Sequence, residues 1–145
     1  MSIWKSPTPL DELNRSRDRT LLSHLDIAFT ELGDDFISAT MPVDERTHQP
    51  YGLLHGGASV VLAETLGSTG ATMCVDRSAY LCVGQEINAN HVRSVRSGRV
   101  TGTARPVHLG GRTQVWTIDI VNEARELVCI SRLTVAVVKR GTLGT

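Results

Sequence analysis

The stretch from His55 to Val75 reads HGGASVVLAETLGSTGATMCV and carries a single charge, Glu64. A run this long, made of small and apolar residues and free of proline, predicts one helix, from about Gly56 to Cys74, of roughly five turns. Four glycines interrupt it at positions 56, 57, 67 and 70. Each costs roughly 1 kcal/mol of helix propensity relative to Ala. A helix that keeps them is one that other parts of the chain approach closely. The glycines, Glu64 and the Ser and Thr residues also make the run a poor membrane span. It is therefore read as a buried helix around which the rest of the chain must wrap.

What flanks this helix has the texture of strands. Ile27 to Leu32 and Asp35 to Val43 are short strand candidates joined by the turn pair Gly33-Asp34. After the helix come Ala79 to Val92, Gly98 to Leu109, Arg112 to Val121 and Glu126 to Lys139. They are β-branched, partly alternating, and separated by turn chemistry at Ser97-Gly98, Gly110-Gly111 and Asn122 to Arg125. This predicts an α+β fold, about six antiparallel strands in a meander around one long helix. Upstream, residues 8 to 25 form a short helical segment: Thr8 to Arg15, with Thr8 as N-cap and Glu12 near the capping-box position, then Thr20 to Leu25. Pro42 to Leu54 reads as a loop, and the tail from Arg140 to Thr145 as frayed. The whole chain, 1–145, is one domain. Exposed sheet edges favour pairing with a second chain, so a homo-oligomer is expected.

Composition removes several function classes. The net charge is zero, which argues against a nucleic-acid binder. Aromatics are only 4%, so the core must be Val, Leu, Ile and Ala, with Trp4 and Trp116 as packing residues. Cys74, Cys82 and Cys129 show neither C-x-x-C spacing nor an even count. No zinc site or disulfide framework is expected, and a reducing cytoplasmic setting fits. The start, MSIWKSPTPL, lacks the apolar core of a signal peptide. There is no G-x-S-x-G elbow, H-E-x-x-H pair, P-loop or strand-linked G-x-G-x-x-G.

Chemistry is then sought in the helix. Glu64 shares one face with Gly57, Val60, Ser68 and Thr72. On pattern alone it is either part of a weakly polar solvated face or a general base or nucleophile, with Ser68 one turn on to hold water or the carboxylate. His55-Gly56-Gly57 at the helix start offers free N–H groups and the positive dipole end to a carbonyl oxygen. His55 is either an added donor or a histidine satisfied by backbone. Gln49 matters only if its loop folds over that position. Two later sets combine cations with donors: His91, Val92, Arg93 and Ser94, and the turn His108, Leu109, Gly110, Gly111, Arg112 and Thr113. Each is either an ordinary polar hairpin end or, together, a phosphate cradle.

The motif Q-P-x-G-x-x-H-G-G followed by A-E within one helix, with VGQEINANHVRSVRSGRV and HLGGRTQVWTIDI downstream, resembles the hot-dog-fold acyl-CoA thioesterases. The resemblance runs from Trp4 to about Val138. It is strongest to the branch that includes bacterial 1,4-dihydroxy-2-naphthoyl-CoA hydrolases, the enterobactin proofreading thioesterases and Arthrobacter-type 4-hydroxybenzoyl-CoA thioesterases. It implies a five- to six-stranded antiparallel sheet wrapped around the central helix, and dimers that pair into tetramers with active sites at the dimer interface. It implies Glu64 as catalytic carboxylate, Gly56 as donor to the thioester oxygen, His55 and Gln49 beside that carbonyl, and Ser68 supporting the water. Gly84, the His91 to Ser94 segment and the His108 to Thr113 turn are implied to contact coenzyme A. No metal or separate cofactor is implied, since coenzyme A is part of the substrate. The expected reaction is hydrolysis of an aromatic or other bulky acyl-CoA. Alternatives are proofreading of acyl or aryl carrier proteins, hydration of an enoyl or dehydration of a hydroxyacyl thioester, and non-catalytic acyl-CoA binding. Gly84-Gln85-Glu86, where such sequences often have Leu in the middle, and the distinct loop Asp76 to Leu81 bear on acyl preference.

Overall fold

A computed structural model describes residues 1–142. Two short helices, α1 (Leu10–Arg15) and α2 (Leu21–His24), lead into strands β1 (Ala28–Leu32) and β2 (Ile37–Pro42). The central helix α3 (Gly56–Met73) follows, then β3 (Tyr80–His91), β4 (Arg99–Leu109), β5 (Thr113–Val121) and β6 (Leu127–Lys139). The strands form one antiparallel sheet in the order β1-β2-β4-β5-β6-β3. Every expected element is present, with ends shifted by no more than two residues.

The strand order corrects the simple meander. β3 does not pair with β4, its successor in sequence; it pairs with β6 and forms an edge. The connection after β3 is not a tight hairpin. The Val92 and Arg93 N–H groups both donate to Val128 O, and Val95 O accepts from Leu54 N–H. These bonds carry the chain past the end of β6 and tie it to the loop before α3.

The sheet curls around α3 because the helix offers it a face of small and apolar residues: Leu62, Ala63, Leu66, Gly67, Gly70 and Ala71 are all buried. Sheet residues Met41, Val100, Trp116, Ile118, Ile120 and Leu133 meet them with no exposed surface. The helix glycines are where side chains lean in. A Cβ at Gly67 would lie 2.6 Å from Leu133, and one at Gly70 would lie 2.8 Å from the Trp116 ring. Trp116 donates to Gln114 Oε1 at 2.9 Å and stacks on Trp4, centroids 6.2 Å apart. Both tryptophans are packing residues.

Thr8 does not cap α1. The N-cap is Pro9, with no side-chain bond. The buried Thr8 is drawn instead to the far end of α3, where its hydroxyl accepts from Arg77 at 3.0 Å and its N–H meets Met73 Sδ. Thr20 does cap α2, accepting from Leu22 N–H. At the tail, Arg140 is held by bonds from its N–H to Ala79 O and from its Nε to Arg77 O; residues 143–145 lie outside the described part. Among the described residues no helix is long and apolar enough to cross a membrane.

Candidate active site

The loop before α3 is built to present its first residue. Thr47 is buried, its hydroxyl donates to Pro42 O at 2.9 Å, and its carbonyl receives the His55 N–H at 2.8 Å. His48 and Leu54 bridge across the loop. His55 is thereby set as the N-cap of α3, and its Nδ1 accepts the Gly57 N–H at 2.8 Å. An accepting Nδ1 places the ring proton on Nε2, so the outer nitrogen is a donor. The Ala58 and Ser59 N–H groups both reach His55 O. Of the first four N–H groups, only that of Gly56 has no partner among the described residues. A helix start with one free N–H and a positive dipole end suits a developing oxyanion.

Gly56 opens into a cleft of about 390 Å³. Gln49 lines it, so the loop does fold over the helix start. The Gln49 side-chain oxygen accepts the Tyr51 N–H, which leaves its amide NH₂ as a donor. His91, Val92, Arg93 and Ser94 line the opposite wall. Ser59, Leu53, Leu54 and Val128 belong to the same cleft and are absent from the sequence expectations. Ser59 was readable, three residues past Gly56 on the same helix face; Leu53 comes with the loop that leads into α3, and Leu54 and Val128 are tied to the segment after β3 by long-range bonds.

Glu64 sits on the flank of α3 that the chain's own sheet leaves partly uncovered: Glu64 and Ser68 are half-buried and Gly57 is exposed. Burial pushes its carboxyl above the usual carboxylate range, and the Ser68 hydroxyl, one turn on, pulls it back by hydrogen bonding. Beneath it lies Gly84, where a Cβ would stand 2.4 Å from Glu64 Oε1. β3 has a bulge between Gly84 and Glu86, with Gln85 the extra residue. A bulge shifts the alternation by one. Gly84 before it and Ile87, Ala89 and His91 after it therefore all face the helix side.

The two basic sets do not meet within one chain. His91 to Ser94 lie at the start of α3, whereas the β4–β5 hairpin that holds His108 to Thr113 is at the opposite end of β4, about 30 Å away for an 11-residue strand. Arg93 pairs with Glu126 at 3.3 Å, both partners about half exposed. Such a pair contributes little, about 0–1 kcal/mol. In the hairpin, Gly110 N–H bonds Thr113 O. A second cavity, of about 290 Å³, lies under Leu109, Gly110 and Gly111. Arg112 and Thr113 are exposed beside it, and Arg112 forms no ion pair among the described residues. The cysteines are free, and burial pushes the Cys74 thiol up to about 12.

The family model of the thioesterase superfamily matches residues 51–129, which contain Glu64, β3 and the cleft residues other than Gln49. A protein of Vibrio cholerae is 61% identical over 94% of this chain and 91% of its own. The 1,4-dihydroxy-2-naphthoyl-CoA hydrolase of Escherichia coli is 54% identical over 93% of this chain and 98% of its own. The crystal structure of a thioesterase from Haemophilus influenzae superposes with a TM-score of 0.94 at 48% identity, covering 99% of both chains. The chain belongs to the thioesterase superfamily and is a thioester hydrolase of the hot-dog fold.

Proposed function

We propose that the enzyme hydrolyses acyl-CoA thioesters whose acyl group is aromatic or otherwise bulky, of the 1,4-dihydroxy-2-naphthoyl-CoA kind, releasing the free acid and coenzyme A. The observation that carries this reading is the unpaired Gly56 N–H in a cleft walled by Gln49 and His91. The likeness to the E. coli hydrolase supports the acyl class.

The thioester oxygen accepts from Gly56, with His55 Nε2 and the Gln49 amide as flanking donors. Glu64 either attacks the carbonyl, giving a mixed anhydride, or activates water. Burial, which raises the proton affinity of its carboxylate, favours a working base. Ser68 steadies the water or the carboxylate. Eight residues of helix separate Gly56 from Glu64, about 12 Å along the axis. One chain therefore cannot bring both to the same carbonyl. The site is completed by a second copy: the exposed β3 edge pairs with its twin, α3 lies antiparallel to its twin, and Glu64 of one chain faces Gly56 of the other.

Such dimers pair further into tetramers, and the enzyme works in the cytoplasm. The His91 to Ser94 segment guides the pantetheine arm, and the His108 to Thr113 hairpin of another chain receives the nucleotide, with Gly84 leaving room beside Glu64. Thiolate leaves readily, so the residues named suffice without a metal or separate cofactor. Proofreading of carrier-protein thioesters uses the same pantetheine arm and is the second reading.

The test is thiol release from a panel of aryl-CoA, fatty acyl-CoA and aryl carrier-protein thioesters. Turnover of aryl-CoA that is lost in Glu64→Ala supports the proposal. Preference for the carrier protein moves the substrate. Binding without thiol release points to an acyl-CoA binder, and loss of an enoyl chromophore without thiol release to a hydratase.

A further inference from the structure

The helix start poses a question that its capping does not answer. The first helical position accepts almost any residue, so nothing in the helix itself calls for a glycine at 56. Nor does its backbone require one, since positive φ among the glycines is confined to Gly52, Gly98 and Gly141. The reason is across the cleft. A Cβ at Gly56 would lie 2.8 Å from His91 Nε2, 3.0 Å from Cε1 and 3.2 Å from Cδ2. The outer edge of the imidazole is laid against the very residue whose N–H is free.

His91 is brought there by design of the strand. It is the last residue of β3, paired with Cys129. The bulge at Gln85 puts it on the helix side of the sheet, in line with Ile87 and Ala89. Immediately beyond, the Val92 and Arg93 N–H groups bind Val128 O and fix where the strand ends. The ring is exposed and its nitrogens make no hydrogen bond among the described residues. It does not hold the fold together.

We infer that His91 is a catalytic donor to the thioester oxygen: its Nε2–H shares with the Gly56 N–H the charge that develops on that oxygen. This goes beyond a contact to the pantetheine arm and rests on the reading of Gly56 as the oxyanion donor. The glycine lets the ring lie this close, because a Cβ at 56 would press on its edge.

The experiment compares His91→Ala and His91→Gln on an aryl-CoA and on the matching aryl-pantetheine thioester, which lacks the nucleotide. His91→Ala lowers kcat about 100-fold on both substrates with KM nearly unchanged. His91→Gln, which keeps a donor, recovers at least a tenth of wild-type kcat, and melting temperatures stay level. Three results overturn the inference: a KM rise confined to the CoA substrate with kcat intact, equal kcat losses in the Gln and Ala variants, or unchanged kinetics. Wild type and Glu64→Ala run alongside keep the two claims apart. A wild type without thiol release fails the acyl-CoA reading, and an active Glu64→Ala fails the role given to Glu64, whatever His91 does.

Discussion

The two ends of α3 meet the same problem and resolve it in opposite ways. Any helix leaves N–H groups unpaired at its start and carbonyls unpaired at its end. At the end, the N-terminal strap takes up the last helical carbonyl: Lys5 and Ser6 N–H both donate to Met73 O at 2.9 Å, and the Ser6 hydroxyl donates to Val75 O just beyond. Trp4 stacks on Trp116, which closes over Gly70. At the start, His55 satisfies Gly57, Ala58 and Ser59, and Gly56 is left to the cleft. The closed end makes stability and the open end makes a site. Substitutions at the two ends should accordingly move different observables.

The largest effect is expected beside the open end. Glu64→Gln should lower kcat by about 10²–10⁴-fold, the range for a lost base. Its melting temperature at neutral pH should rise slightly, because a partly desolvated charge is gone. At the closed end, Gly70→Ala drives a Cβ to 2.8 Å from Trp116 and should cost about 1–3 kcal/mol in urea unfolding, with kcat of the folded enzyme unchanged. Ser6→Ala removes one hydroxyl bond and should cost about 1 kcal/mol by the same assay.

The pH dependence sharpens the contrast. Because burial raises the Glu64 carboxyl above the usual carboxylate range, the acid limb of kcat/KM should lie above that range. The folded state holds that proton more tightly than the unfolded one. The favourable contribution of Glu64 to stability is therefore present below the usual carboxylate range and lost as pH rises through the raised folded value, a slope that Glu64→Gln should abolish. The smallest expected change is chemical: Cys74, pushed up to about 12, should resist alkylation of the native protein at neutral pH.

The elements of this fold were readable because each has a strong local signal: the apolar run for α3, and alternation bounded by Gly98, Gly110 and Asn122 for the last three strands. What was not readable is what depends on distant partners. β3 and β4 are neighbours in sequence, and it is the long-range ladder with β6 that takes β3 to the edge. Thr8 has the chemistry of an N-cap but is claimed by Arg77, 69 residues away. The site followed the same rule. Gly56 and Glu64 stand out locally, while the closeness of His91 to Gly56 depends on one bulge residue, Gln85, that no periodicity announces. The two basic sets look alike in sequence and lie at opposite ends of the sheet.

The central claim is that Gly56 and Glu64 act on one thioester from two different chains. It is tested by mixing two inactive variants, Gly56→Val and Glu64→Ala, under conditions that let subunits exchange, and measuring thiol release from an aryl-CoA. If the site is shared, each mixed dimer regains one intact site, and random assortment returns about a quarter of wild-type activity. If both residues serve the same carbonyl from one chain, no mixed dimer contains an intact site and the mixture stays as inactive as its parts.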